Sequence, residues 1–141
     1  MLLKDILATK GTDVLSIEPT ATMADAVDKM VAHRCGSLVV CNGETMVGII
    51  SERDVLRAIA GASDTLDKVT VEARMTKDVI TGAPDQNIND TMGLMTKKHV
   101  RHLPVINDGK LAGLISIGDV VKAQHQKLAM ENHLLMSYIQ S

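Results

Sequence analysis

Two short stretches hold the residues best suited to chemistry, and each is a copy of the other. Gly48-Ile49-Ile50-Ser51-Glu52-Arg53-Asp54 and Gly113-Leu114-Ile115-Ser116-Ile117-Gly118-Asp119 share a glycine, an apolar pair, and then a hydroxyl and a carboxylate three residues apart. Whatever small-molecule chemistry such a hydroxyl and carboxylate carry is expected to be built once per half. The same spacing is also a capping box, in which hydroxyl and carboxylate satisfy opposite orphan amides, and helix initiation alone would account for both pairs. No nucleophile stands with a base beside it, and the sequence has no metal-ligand cluster and no Walker-type loop. The glycines near the motifs shape strands and turns, and the expectation is a protein without catalysis.

The repetition runs well beyond those stretches. Residues 13–58 lie over residues 78–123 at a shift of 65 positions without a gap, giving 14 identical pairs in 46 where unrelated sequences give roughly 3. Pro19 matches Pro84, Asp25 matches Asp90, Met30 matches Met95, Leu38 matches Leu103 and Asn42 matches Asn107. Duplication this regular predicts two equivalent halves about a pseudo-twofold.

Each half reads as strand, helix, strand, strand, helix. Val14-Leu15-Ser16-Ile17 and Val79-Ile80-Thr81 predict short apolar strands, each ended by a proline. Thr22-x-x-Asp25 and Asn87-x-x-Asp90 read as capping boxes that open helices of about three turns. Met23, Ala26, Val27, Met30 and Val31 in one helix, and Ile88, Met92 and Met95 in the other, fall at three- and four-residue spacing and predict one buried face each. Residues 38–41 with 46–50, and 103–106 with 111–115, predict hairpins through Asn42-Gly43-Glu44-Thr45 and Asn107-Asp108-Gly109-Lys110. Pro104 cannot donate to a ladder, so its amide side must face an edge or a bulge. Helices start near Ser51 and Ser116. The first ends by Gly61, while the second runs on with Val121, Leu128 and Leu135 seven apart, a stripe suited to its own core or to a second chain. The expected fold is mixed α/β of the α+β type, two βαββα repeats with a long C-terminal helix. Repeat 1 covers about 5–60, a connection 61–70, repeat 2 about 71–123, and the C-terminal helix 119–140.

Composition narrows the function classes. At 141 residues the halves are too small to bury sound cores separately and are expected to fold as one body. A net charge of −2 with scattered Lys and Arg, and Tyr138 as the single aromatic, argue against nucleic acid and anionic membranes as partners. Charge in Met1-Leu2-Leu3-Lys4-Asp5 interrupts any signal-peptide core, and no apolar run approaches a spanning helix, so the expected location is cytoplasmic. Cys35 and Cys41 read as small buried hydrophobes. His33, His99, His125 and His133 read as exposed positions, and only His102 is placed to matter.

The order strand, helix, hairpin, helix, with Gly-h-h-Ser-x-x-Asp (h, apolar) closing each hairpin, resembles the CBS domain, named for cystathionine beta-synthase and found as a tandem pair. The resemblance covers residues from about 5 to 123. It implies a compact disc with two clefts related by the pseudo-twofold, often holding AMP, ATP or another adenosyl ligand, and a homodimer of stacked pairs. It also implies that Asp54 with Ser51, and Asp119 with Ser116, contact ribose and phosphate. The family's clefts are built across the pseudo-twofold, so Asp119 is expected to face Ser16, Ile17, Gly36 and Ser37, and Asp54 to face Ile80, Thr81, Arg101 and His102. Arg101-His102 stand where the first copy has Gly36-Ser37, and Arg53 stands where the second has Gly118, so the two sites are expected to differ in ligand or affinity. Arg34, Arg53 and Arg101 are equally readable as solvated charges. The function implied is a regulatory sensor of adenosine nucleotides, a stand-alone pair acting in trans on an effector protein. AMP and ATP are the leading ligands, with NAD(H) and S-adenosylmethionine as further carriers of the adenosyl group. The alternative is a dimerisation scaffold with vestigial clefts.

Overall fold

Local chemistry starts and stops most elements of this chain. The computed structural model describes residues 1–61 and 64–140; residues 62 and 63 of the expected connection lie outside the described residues. Helix α1 (Leu3–Lys10) is followed by β1 (Ser16–Ile17), α2 (Met23–His33), β2 (Ser37–Asn42), β3 (Thr45–Ser51) and α3 (Glu52–Gly61). A 3-10 turn (Leu66–Lys68) and the short α4 (Val71–Arg74) lead to α5 (Ile88–Lys98), β4 (His102–Asn107), β5 (Lys110–Ser116) and α6 (Ile117–Gln140). The fold is mixed α/β with two repeats and a long C-terminal helix.

Thr22 opens α2 with the reciprocal box: its hydroxyl accepts the Asp25 N–H and the Asp25 carboxylate accepts the Thr22 N–H, both at 3.1 Å. Its counterpart is simpler than expected. The Asn87 side chain accepts the Asn89 N–H at 2.7 Å, so α5 is capped by one short amide bond in place of a reciprocal box. Met23, Ala26 and Met30 are buried on α2, whereas Val31, about 100° further round than Met30, is 72% exposed and leaves the expected face. Both helices end on a non-glycine residue in the left-handed region, Arg34 at φ 52° and His99 at φ 56°. Such residues cost roughly 1 kcal/mol there, and glycine does not. Arg34→Gly and His99→Gly are each expected to raise stability by about 0.5–1 kcal/mol in urea denaturation. No rise in the double variant would mean that the side chains offset the strain through contacts of their own.

The chain forms two compact units, neither contiguous in sequence. One comprises Asp13–Val79 with Asp108–Leu111. In it β1 runs parallel to β2, with Ser16 opposite Val39 and Ile17 opposite Val40, and β2 runs antiparallel to β3 with an irregularity between Val40 and Cys41. Thr76 bonds Ile49 in both directions, at 2.9 and 3.0 Å, and so extends the sheet beyond β3. Ile17, Met23, Ala26, Met30, Leu38, Val40, Ile50, Ala58 and, from α4, Val71 form the core. Residues 14 and 15 of the expected first strand stay outside β1, whose pairing reaches only Ser16 and Ile17.

The other unit comprises Met1–Thr12, Ile80–Asn107 and the chain from Ala112. The expected strand over 79–81 is reduced to one parallel bridge at Gly82, whose N–H donates to Pro104 O and whose carbonyl accepts the Ile106 N–H, both at 2.9 Å. Pro104 therefore turns its donor-less side to this sparsely bonded edge, as its chemistry requires. Leu3, Ile6 and Leu7 of α1 join Ile88, Met95, Leu103, Val105, Ile115, Val120 and Ala123 in the core. The turn Asp108-Gly109 has φ of 51° and 78°, the doubly left-handed geometry that a two-residue hairpin favours. Along α6, burial ends at Ala123, and Leu128, Leu134, Leu135 and Ile139 are all more than 60% exposed. No helix among the described residues is long and apolar enough to cross a membrane.

Candidate functional site

The first motif closes β3 and opens α3. Asp54 lies in the first turn and is 5% exposed, so its charge must be met by hydrogen bonds. Its Oδ2 accepts the Ser51 N–H at 2.9 Å and the Ser51 hydroxyl at 3.1 Å, and its Oδ1 accepts the Thr76 hydroxyl at 3.0 Å. The hydroxyl of Ser51 thus donates to the carboxylate. Beside this network, Ser37 is buried and pairs with Ser51 across the sheet, and Gly36 O accepts the Glu52 N–H at 3.1 Å. A Cβ on Gly36 would stand 2.6 Å from Glu52 Oε1, so glycine makes room for that carboxylate. Arg53 is exposed.

The second motif is built differently at the same positions. Ser116 and Asp119 form the full reciprocal box, the Ser116 N–H donating to Asp119 Oδ2 at 2.9 Å and the Asp119 N–H to Ser116 Oγ at 3.1 Å. The Lys10 ammonium, from the last turn of α1, donates to the same Oδ2 at 2.6 Å and to Leu114 O at 2.8 Å. Lys10 and Asp119 retain 39% and 25% of their side-chain exposure, so this ion pair is open to solvent and to a ligand. Burial pushes the Asp119 carboxyl up, but the Lys10 hydrogen bond, the Ser116 amide, the Lys10 charge and the Ser116 hydroxyl outweigh it and hold the group below its ordinary value. The Ile117 N–H at the start of α6 donates to Arg101 O at 2.8 Å, which sets exposed Arg101 beside the motif.

Ser16 and Ile17 lie on β1 and line an open depression of about 460 Å³, where the Lys29 ammonium donates to Ser16 O at 2.5 Å; its lining includes neither motif carboxylate. Ile80 packs on the core of its unit, Thr81 is exposed and His102 is half-buried at the start of β4. Lys10 and Thr76 went unnoticed in the sequence. Lys10 ends α1 and Thr76 follows α4, but nothing local ties Lys10 to a carboxylate 109 positions away or Thr76 to one 22 away. Cys35 and Cys41 are free and half-buried, and burial pushes the Cys41 thiol up. Among the described residues no cluster of His, Cys, Asp or Glu is placed to hold a metal ion.

Comparisons with known proteins bear on the family and the fold. The family profile described as CBS domain matches residues 3–61 and 69–126. A CBS-domain containing protein from Agrobacterium tumefaciens is 38% identical and superposes with a TM-score of 0.83, covering 88% of this chain and 99% of that one. A CBS domain protein from Pyrobaculum aerophilum, complexed with AMP, is 28% identical with a TM-score of 0.74 over 84% of this chain and 89% of its own. The CBS domain pair of protein MJ0100, in complex with 5-methylthioadenosine and S-adenosyl-L-methionine, is 25% identical with a TM-score of 0.77 over 90% of this chain and 98% of its own. CBS pair proteins are regulatory. With the doubled motif, the repeated hairpin and helix, and a profile matching both repeats, the chain belongs to the CBS domain family as a tandem pair.

Proposed function

We propose that this CBS pair is a regulatory sensor of adenosine nucleotides, AMP or ATP foremost, that acts in the cytoplasm, passes its state to an effector protein and catalyses no reaction itself. The observation that carries this reading is the doubled Ser-x-x-Asp, with each carboxylate fixed at a helix start, a combination whose chemistry suits a ribose diol and a phosphate. The AMP complex of the Pyrobaculum aerophilum protein supports it. A ligand that prefers one conformation shifts the population by its affinity difference and no more. The exposed apolar row of α6, Leu128, Leu134, Leu135 and Ile139, favours a second copy of the chain as a further partner, and a scaffold with vestigial clefts is the competing reading.

Calorimetry and thermal shift on refolded, ligand-free protein test it, with AMP, ADP, ATP, NAD, NADH and S-adenosylmethionine as ligands. A ligand at 100 times its dissociation constant is expected to add about 2.7 kcal/mol of stability, and Asp119→Ala is expected to abolish that gain. A chain that binds none of the six, yet keeps its oligomeric state in Asp119→Ala, is the scaffold.

A further inference from the structure

The two motif carboxylates occupy equivalent positions in the repeats but are met by different chemistry. Asp54 is sealed: the chain at Thr76 bonds Ile49 through its backbone and Asp54 through its hydroxyl. Leu114 and Asp119 are the counterparts of Ile49 and Asp54 at the shift of 65. There, one Lys10 ammonium meets both the carbonyl and the carboxylate. A backbone bridge is rigid, whereas a lysine is a charge on a four-carbon stem that can leave one acceptor for another.

We infer that Lys10 sets the ligand class of the Asp119 site, its ammonium passing from the carboxylate to a ligand phosphate when a ribose diol takes Asp119. The inference rests on the sensor reading above. A diol that replaces the ammonium on Asp119 leaves Lys10 with Leu114 O and an unmatched charge. Phosphate supplies the missing counter-ion; adenosine does not, and S-adenosylmethionine sets a sulfonium and an ammonium against its single carboxylate and so brings a net positive charge. The start of α6 is made for an anion as well. Arg101 lies beside it, and Gly118 leaves it uncrowded, a Cβ there meeting only Ser116 Oγ at 3.6 Å. At the Asp54 motif the counterparts of Lys10 and Arg101 are Met75 and Gly36, and Glu52 sits against Gly36, so the nearest added charge there is negative except for exposed Arg53. The Asp119 site therefore selects phosphorylated adenosine ligands over phosphate-free ones.

Calorimetry with AMP, adenosine and S-adenosylmethionine on the full chain tests this in wild type, Lys10→Met, Lys10→Arg and Asp119→Asn. Wild type is expected to prefer AMP to adenosine by about tenfold or more, the effect of one hydrogen bond to a charged group. Lys10→Met is expected to erase most of that preference while adenosine affinity holds or rises, and Lys10→Arg to keep it. Equal weakening of AMP and adenosine in Lys10→Met, at an unchanged melting temperature, would make Lys10 a structural contact only. Equal tightening of both would make it a plain competitor for Asp119. Either result overturns the inference and leaves the sensor reading intact. If wild type binds none of the three, the sensor reading itself fails and this inference falls with it; if Asp119→Asn binds them unchanged, the ligand is held away from Asp119 and this inference alone is overturned.

Discussion

Replacing Asp54 by alanine is expected to lower stability by about 3 kcal/mol, and replacing Asp119 by alanine by about 1 kcal/mol, although the two residues hold the same place in the same motif. Asp54 is buried and accepts three hydrogen bonds, so the truncation strands the Ser51 N–H, the Ser51 hydroxyl and the Thr76 hydroxyl in a part of the unit that water reaches poorly. Each stranded donor costs about 1 kcal/mol or more. Asp119 is a quarter exposed, and its partners, Lys10 and the Ser116 amide, regain water when it is removed. A partly exposed ion pair contributes little, so the loss is mostly one capping bond. Urea denaturation of both variants reads the difference, and thermal unfolding of a chain of this size is expected to show a melting temperature lower by about 10 °C for Asp54→Ala and by a few degrees for Asp119→Ala. Near-equal losses would show that Asp54 is no more a structural residue than its counterpart.

The contrast between those two residues marks where sequence reasoning runs out. What was legible was local. Gly43 and Asp108-Gly109 mark the hairpin turns because only a few residues tolerate a positive φ, and Thr22 with Asp25 opens α2 because the box closes within four residues. The doubled Ser-x-x-Asp was likewise local and announced two helix starts, both present. What stayed hidden depends on partners distant in the chain. Leu3, Ile6 and Leu7 have helical spacing, but nothing in the sequence says that α1 contributes to the core containing Ile88 and Leu103, while Val71 of α4 joins the core of Met23 and Leu38. The helix that opens each repeat thus lies in the core built by the other repeat's residues. The same displacement brings Lys10 to Asp119 and Thr76 to Asp54, so the difference in chemistry between the motifs is inherited from the opening segments of the repeats, which lie outside the gapless alignment of 13–58 with 78–123. Arg34 and His99 were hidden for another reason: a left-handed residue announces itself when it is glycine, and here it is not.

The glycine of the motif makes the second large effect, and it concerns packing. Gly48 lies in the middle of β3, and a Cβ there would come 2.7 Å from Met75 Sδ and 2.8 Å from Thr76 O. The thioether can swing away; the Thr76 carbonyl is backbone and bonded to Ile49, so it moves only if the bridge opens. Gly113 is the counterpart, but the Cβ would meet only the Leu7 side chain, with Cδ2 at 2.6 Å and Cδ1 at 3.0 Å. A rotamer change and a small shift of α1 relieve that contact. Gly48→Ala is therefore expected to destabilise by about 3 kcal/mol, at the upper end of overpacking costs, and Gly113→Ala by about 1 kcal/mol. The Gly48 variant carries a second signature: with Thr76 displaced, its hydroxyl leaves Asp54, so Asp54→Ala added to Gly48→Ala is expected to cost about 1 kcal/mol less than it does alone. A double-mutant cycle in urea reads that coupling. Additive losses would mean that the segment at Thr76 gives way without releasing Asp54, and that the glycine serves only the strand. Coupled losses would tie the glycine, the carboxylate and the segment at Met75 and Thr76 into one structural unit, with the glycine as the seat on which that segment rests.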